Sequence, residues 1–409
     1  MRIAAFQRRR WPAAVKAAGY DCVTLPAPPN SAYFQATLDD LIAHGRYVRD
    51  LLEAEPVDLI VDAHGDGMLF VDDPRERGRD ALLHHHLGVP LFSHFSETLR
   101  ILFRRIEPAL LFEMLQSPTW HKGLFVRAHV AEMAFFGIPN CCYLPLAADD
   151  DLYPTQPPDV DHAGPLVFFA GHQQSRYFAH ADGADTRLQR SGALALAAVA
   201  DASAGSFLEA YRCYALGPEP APDAPPADRA ECARRYYAHK LFYTAARNLG
   251  TRDRFVVRLA RQLGDRFLLV GDERWQSQYG LEPTPRLADD DYYRRLRTTP
   301  LCLNVVNGDN DTGLNLRPFE ITAWGGLLLH YHQPELPELF DIGEECVSFR
   351  NEAELFDRIR HLAENPRQRD EIARAGQERT LREHLLHHRL ATILDQVFQE
   401  TRVESCQPS

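Results

Sequence analysis

The sequence predicts an α/β protein built as two parallel-sheet lobes, on three observations. Short apolar runs alternate with amphipathic segments along most of the 409 residues. An acidic, proline-rich stretch beyond residue 148 breaks that alternation once, and a fresh apolar run restarts it. The chain is also longer than the roughly 100–200 residues of an ordinary domain.

The first lobe, residues 1–150, carries strand-like runs at Arg2–Phe6, Asp21–Leu25, Val57–His64, Val89–His94 and Gly123–His129. Between them, Thr37–Ala54 sets Leu38, Leu41, Ile42, Val48, Leu51 and Leu52 at helical spacing. Strands alternating with helices in this way form a parallel sheet wrapped by helices. Residues 151–164, with their prolines and acids, read as a linker. The second lobe, residues 165–380, repeats the plan with strands at Leu166–Gly171, Arg266–Gly271, Leu301–Val306, Gly326–His330 and Cys346–Phe349.

Inside the second lobe, residues 188–252 form a largely helical insertion. Its middle, Gly217-Pro218-Glu219-Pro220-Ala221-Pro222-Asp223-Ala224-Pro225-Pro226, reads as a flexible surface loop, because proline removes donors and fixes φ. Helices at Ala353–Glu364 and from Pro366 to about Gln399 follow, and residues 381–409 form a C-terminal helix and tail able to pack back on the first lobe. Two such lobes facing a cleft place strand C-terminal ends around a small-molecule site.

Composition narrows the function. A formal charge of −12 offers no basic face for a nucleic-acid backbone, so no nucleic acid is expected as partner. No window reaches the roughly 18 apolar residues of a membrane span, and the basic Arg8-Arg9-Arg10 follows the first apolar run, the reverse of a secretory signal. A cytoplasmic protein is expected. Eight cysteines, none in a Cys-x2-Cys pair, argue for reduced thiols rather than a zinc site or disulfides. Asp309-Asn310-Asp311 has the form of an Asp-x-Asp metal motif, but two acids underdetermine a site, and a solvated acidic loop is the preferred reading. Asp149–Asp151 and Asp289–Asp291 are read the same way, and no metal is expected.

The most informative stretch is Gly313-Leu314-Asn315-Leu316-Arg317-Pro318-Phe319-Glu320-Ile321-Thr322-Ala323-Trp324-Gly325-Gly326, leading into Leu327-Leu328-Leu329. Glu320 can accept two hydroxyl hydrogen bonds from a ribose, and as an acid in the first turn of a helix it would also gain from the dipole. Asn315 and Arg317 can face a diphosphate, Arg317 with a planar fork suited to phosphate, although a structural ion pair is its alternative. Gly171-His172-Gln173-Gln174-Ser175-Arg176 follows the first strand of the second lobe, where Gly171 lets the backbone approach phosphate and His172 or Arg176 can neutralise it; an ordinary polar turn is the alternative. Gly271-Asp272-Glu273-Arg274 can border a base. In the first lobe, Asp62-Ala63-His64-Gly65-Asp66-Gly67 and Ser93-His94-Phe95-Ser96-Glu97 follow strands, so His64, Asp66, His94 and Glu97 are the candidates for catalytic acid or base, each also explicable by local hydrogen bonding.

These residues carry a resemblance. Leu303-Asn304-Val305, Asn315 to Glu320, Ala323-Trp324-Gly325-Gly326, Cys346-Val347-Ser348-Phe349, Asn365-Pro366-Arg367 and Ile372-Ala373-Arg374-Ala375-Gly376, with Gly137-Ile138-Pro139 and Tyr143 to Asp149 upstream, resemble CgeB-like, group 1 glycosyltransferases of the GT-B fold. The resemblance implies two Rossmann-like domains facing a cleft, an acceptor domain first and a nucleotide-sugar domain second. It also implies no tightly bound cofactor, an NDP-sugar as donor substrate, and no protein-bound metal. Many relatives carry Glu-x7-Glu; Glu320 matches the second, ribose-binding glutamate, but Thr312 stands at the first. Thr312 or the backbone near Gly313 would then contact the donor sugar. The acceptor (glycan, lipid, protein or small molecule) is not defined. An epimerase or hydrolase acting on nucleotide sugars, or a non-catalytic sugar-binding or assembly protein, is also compatible with these residues.

Overall fold

The computed structural model describes residues 1–7, 10–29, 36–104, 106–150, 153–154, 163–173, 192, 194, 196–198 and 205–404. They form two α/β units with one parallel sheet each. The first unit gathers Met1–Asp150, Tyr211–Ala238 and Leu385–Ser409; the second gathers Asp151–Ala210 and His239–His384.

In the first unit, β1 (Arg2–Phe6), β2 (Asp21–Leu25), β3 (Leu59–Ala63), β4 (Leu91–Phe95), β5 (Trp120–Leu124) and β6 (Cys141–Tyr143) lie in the order β2-β1-β3-β4-β5-β6. Every pair is parallel, with Ala4 opposite both Val23 and Ile60. β3, β4 and β5 are buried along their whole length, as a sheet covered on both faces requires. The helix Leu38–Ala54 starts at a reciprocal capping box: Thr37 Oγ1 accepts from the Asp40 N–H at 3.2 Å and the Asp40 carboxylate accepts from the Thr37 N–H at 2.9 Å. One face of the sheet is sealed by two helices distant in sequence. Trp11, Ala14 and Val15 of the helix Trp11–Ala17 share a core with Leu386, Leu390, Ile393 and Val397 of the helix Leu386–Glu404, over Ile3, Ala5, Leu59 and Val61. The Leu386 N–H donates to the Ala148 carbonyl at 2.8 Å, and the Asp150 carboxylate holds His387.

Three local expectations change. The strand expected at Gly123–His129 is β5 at Trp120–Leu124, followed by the helix Arg127–Phe135. A lysine and a histidine in the strand hid it. Lys122 lies fully inside, its ammonium donating to the carbonyls of Leu115, Trp120 and Pro139 at 2.9, 2.8 and 3.1 Å, and burial pulls its pKa down to about 8. Second, Tyr211–Ala238, read as part of the insertion in the second lobe, groups with the first unit. There Tyr236 donates to Glu132 Oε1 at 2.7 Å, Arg229 donates to the Phe136 carbonyl at 2.7 Å, and Phe135, Phe136, Tyr211 and Tyr236 pack edge to face. Third, the proline-rich loop read as flexible is pinned by side chains. Arg229 donates to the Ala224 and Pro222 carbonyls at 2.8 and 2.7 Å, and the Cys232 thiol to the Pro218 carbonyl at 3.0 Å.

In the second unit, β7 (Val167–Ala170), β8 (Phe267–Val270), β9 (Leu301–Asn304), β10 (Leu328–Tyr331) and β11 (Val347–Phe349) lie in the order β11-β10-β9-β7-β8, again all parallel. The chain leaves β7 for β8 on one side and returns to β9 on the other. That reversal opens a crevice beyond the strand C-terminal ends, where open α/β sheets bind ligands. Val167, Phe169, Leu269, Trp275, Leu301, Leu303, Leu329 and Phe349 fill the core beneath it.

The helix Asp289–Thr298 crosses closely over the turn before β10, where a Cβ on Gly326 would run into the Leu296 carbonyl and lie 3.2 Å from the Ile321 carbonyl. Gly326→Ala is therefore expected to cost about 1–3 kcal/mol of stability by overpacking. A lowered urea midpoint with an unchanged slope would show it, and an unchanged midpoint would mean that the helix yields at no cost.

Candidate functional site

A glycine follows each of β7 and β8, Gly171 and Gly271, and the two touch. A Cβ on Gly271 would lie 2.8 Å from the Gly171 carbonyl oxygen and 2.7 Å from Trp275 Cδ1, while Trp275 Nε1 donates to that same carbonyl at 2.8 Å. Any side chain at Gly271 would force the loops apart. The helix Arg317–Ala323 is tied to this point by Arg317, whose Nη1 donates to the Ala170 carbonyl at 2.8 Å. Between these elements lies a cavity of about 370 Å³ lined by Gly171, His172, Gly271, Tyr292, Arg317 and Glu320, with Arg286, Leu287, Asp289 and Tyr293 completing the wall.

The cavity's chemistry is that of a ligand with both anionic and hydroxyl groups. Arg317 offers a planar guanidinium with N–H donors to anionic oxygens. Glu320 offers a carboxylate to hydroxyl donors. His172 Nδ1 sits 3.3 Å from Asp272 Oδ2, which orients its ring at the loop. Tyr292 touches both principal side chains, its hydroxyl donating to Glu320 Oε2 at 3.2 Å and its ring lying 5.2 Å from the Arg317 guanidinium. Tyr293 stacks on Trp324 with ring centroids 4.5 Å apart and planes 15° apart, so the helix Asp289–Thr298 is fastened to the helix carrying Glu320 at two adjacent residues.

Of the donor-site residues expected from sequence, Gly171, His172, Arg317 and Glu320 meet on this cavity. Thr312, Gly313 and Asn315 do not line it. Thr312 Oγ1 donates to Glu335 Oε1 at 2.6 Å, the Gly313 N–H donates to the Asn310 carbonyl at 2.8 Å, and Asn315 accepts from Asn304 Nδ2 at 2.9 Å at the end of β9. Arg176 lies outside the described residues. Tyr292, Tyr293 and Arg286 escaped the sequence reading, which took Asp289–Asp291 as a solvated acidic run. The available signal was the tyrosine pair between those acids and Leu296, the buried residue of the same helix.

The acidic loop needs correction. Asp311 is not solvated: it is buried, with Lys240 Nζ at 3.0 Å from its Oδ2 and Arg247 Nη1 at 3.7 Å from its Oδ1. Asp309 accepts from Thr244 Oγ1 at 3.3 Å. Asp150 in the first unit is likewise inside, bound to His387.

The acid/base candidates sit at the ends of β3 and β4. His64 holds a left-handed φ of 61°, is 8% exposed, and its Nε2 lies 3.1 Å from Ser96 Oγ. A non-glycine residue held in that conformation stores strain of a kind common at functional sites. The turn is braced by Asp62, whose carboxylate accepts the N–H groups of Gly65 and Gly67. Asp66 is wholly buried in this turn. His94 Nε2 donates to the Leu144 carbonyl at 3.1 Å, and the ring meets Trp11 edge-on at 5.9 Å. Glu97 is exposed. Ala63, His94, Ser96 and Asp149 surround a small hollow of about 10 Å³. The structure thus brings His64, Ser96 and His94 to one place, with Asp66 behind them in the turn.

Two parallel α/β units of six and five strands are the architecture of GT-B glycosyltransferases. At the level of sequence, residues 247–395 match the profile of the family described as glycosyl transferase-like, a stretch that contains Arg317 and Glu320. Among solved structures, a glycosyltransferase from Rickettsia africae aligns over 97% of this chain and 98% of its own, at 9% identity and a TM-score of 0.51. Sucrose-phosphate synthase from Thermosynechococcus elongatus aligns over 99% and 100%, at 11% identity and a TM-score of 0.48. The Anabaena protein Alr3699/HepE, solved with UDP-glucose, aligns over 98% and 100%, at 12% identity and 0.46. No curated protein matches at the sequence level. Among the described residues no helix is long and apolar enough to cross a membrane.

Proposed function

We propose that this protein is a glycosyltransferase that moves a sugar from a nucleotide-sugar donor to an acceptor hydroxyl, within the CgeB-like branch of the group 1 enzymes. The second unit is the donor domain. Arg317, with His172, receives the diphosphate, and Glu320 receives the ribose hydroxyls. The first unit is the acceptor domain, with His64, oriented by Ser96, taking the proton of the acceptor hydroxyl. In the transfer the bond from the anomeric carbon to the diphosphate oxygen breaks and the bond to the acceptor oxygen forms. The leaving diphosphate is stabilised by the Arg317 guanidinium, an electrostatic role that does not call for a resident metal.

The observation that carries this reading is the placement of Arg317 and Glu320, three residues apart on one helix, on a single cavity with the glycines that follow β7 and β8. The test is a thermal-shift panel of UDP-, GDP- and ADP-sugars, repeated with Glu320→Ala. A charge-assisted hydrogen bond contributes about 1.5–3 kcal/mol, so the variant is expected to bind the stabilising nucleotide roughly ten- to a hundredfold more weakly. A wild-type protein blind to the whole panel, or an equal shift in the variant, would remove the assignment.

A further inference from the structure

We infer that Tyr292 is the positioning residue of the nucleotide site, presenting Glu320 so that the protein distinguishes a ribonucleotide from its 2′-deoxy counterpart. The inference rests on the donor-site reading above and goes beyond it. A carboxylate on a short helix can turn about its side-chain torsions, and a turning carboxylate accepts from any nearby hydroxyl. The Tyr292 hydroxyl removes that freedom by donating to Oε2 at 3.2 Å, which leaves Oε1 as the oxygen offered to a second donor. The same ring lies 5.2 Å from the Arg317 guanidinium, whose Nη1 is already held by the Ala170 carbonyl. One aromatic side chain therefore borders the cation and sets the rotation of the anion.

Tyr292 is itself held. Its ring lies 6.1 Å from Phe168 of β7 and 5.2 Å from Tyr293, which stacks on Trp324 one turn beyond Glu320. Burial raises its phenol well above 10, with Arg317 pulling the other way, so it remains a donor at any ordinary pH. A ribose whose vicinal hydroxyls reach a carboxylate of fixed rotation makes two hydrogen bonds with matched geometry; a deoxyribose makes one.

The test is titration calorimetry of the full chain with UDP, ADP and GDP and with their 2′-deoxy analogues, on wild type, Tyr292→Phe and Glu320→Gln. Phenylalanine keeps the ring contacts and deletes only the hydroxyl, so the melting temperature should hold. For the diphosphate that binds wild type, Tyr292→Phe is expected to lower ribonucleotide affinity about tenfold, the value of one lost hydrogen bond, and to shrink the ribo/deoxy ratio by a similar factor. General loosening of the pocket would weaken both nucleotides and leave the ratio alone, which would overturn the inference. An unchanged Tyr292→Phe beside a weakened Glu320→Gln would also overturn it, with the donor site intact. If neither variant differs from wild type, or no diphosphate binds wild type, the donor-site reading and the inference fall together.

Discussion

Asp311→Ala is expected to lower the unfolding free energy by about 3–5 kcal/mol, because it removes the anion from a buried charge cluster. The Asp311 side chain is 0% exposed and that of Lys240 2%, with an Oδ2 to Nζ distance of 3.0 Å. Arg247 adds a guanidinium at 3.7 Å from Oδ1 and donates to the Asp311 carbonyl at 3.1 Å. Oδ1 also accepts from the Phe207 amide at 3.3 Å. Alanine deletes the carboxylate yet leaves two cations desolvated. It must also adopt the φ of 42° that aspartate holds here, a conformation that asparagine tolerates better. Asp311→Asn, which keeps shape and an acceptor but not charge, should fall between wild type and alanine in guanidinium unfolding. A midpoint for Asp311→Ala equal to wild type would show that the charge is not what holds this loop.

Acidification from pH 7 to pH 5 is expected to destabilise the fold by roughly 5 kcal/mol through three buried histidines, a large part of the 5–15 kcal/mol of a typical domain. Burial pushes His84 down to about 3 and His121 down to about 4, with the Lys122 ammonium adding to both shifts. Burial pushes His330 to about 4, against the pull of its bond to the Tyr331 carbonyl. Each folded value lies below the 6.5 of an unfolded histidine, so the unfolded chain takes up protons first as the pH falls. The stability these residues contribute is whole above 6.5 and is lost between 6.5 and about 4 for His121 and His330, and down to about 3 for His84, by up to about 1.4 kcal/mol per pH unit for each. His330 also bears on the donor site: its Nε2 accepts from Asn304 at 3.1 Å, and Asn304 in turn donates to Asn315. Urea midpoints at the two pH values check the whole effect. His84→Gln, which keeps a polar partner for Thr119 Oγ1 and cannot titrate, should remove about a third of it. Equal midpoints at both pH values would refute the account.

The two-sheet plan was legible because buried parallel strands write themselves as apolar runs, and Leu59–Ala63 or Leu301–Asn304 need no tertiary context to be read. β5 was not, because Lys122 satisfies its charge with three carbonyls that the sequence does not mark as neighbours. Arg317 and Glu320 were legible as parts of one contiguous run. Tyr292 was hidden by the 28 positions that separate it from Glu320, and the Asp311 pair by 71. Acids in a row look alike whether water or an ammonium faces them. Asp289 stayed at the surface of the cavity while Asp311 went inside, and only contacts distant in sequence separate the two cases.

The helix Leu386–Glu404 completes the first unit's core, and that arrangement sets an order of events on the ribosome. Trp11 and Val15 emerge early, but the leucines and isoleucine that cover them emerge only after all of Asp151–Ala210 and His239–His384 has been translated. The first unit's core therefore cannot close until the last helix of the chain is available to it. During that interval the nascent first unit presents a natural target for a chaperone, and a ribosome stalled before Leu386 releases a chain with one sound unit and one prone to aggregate.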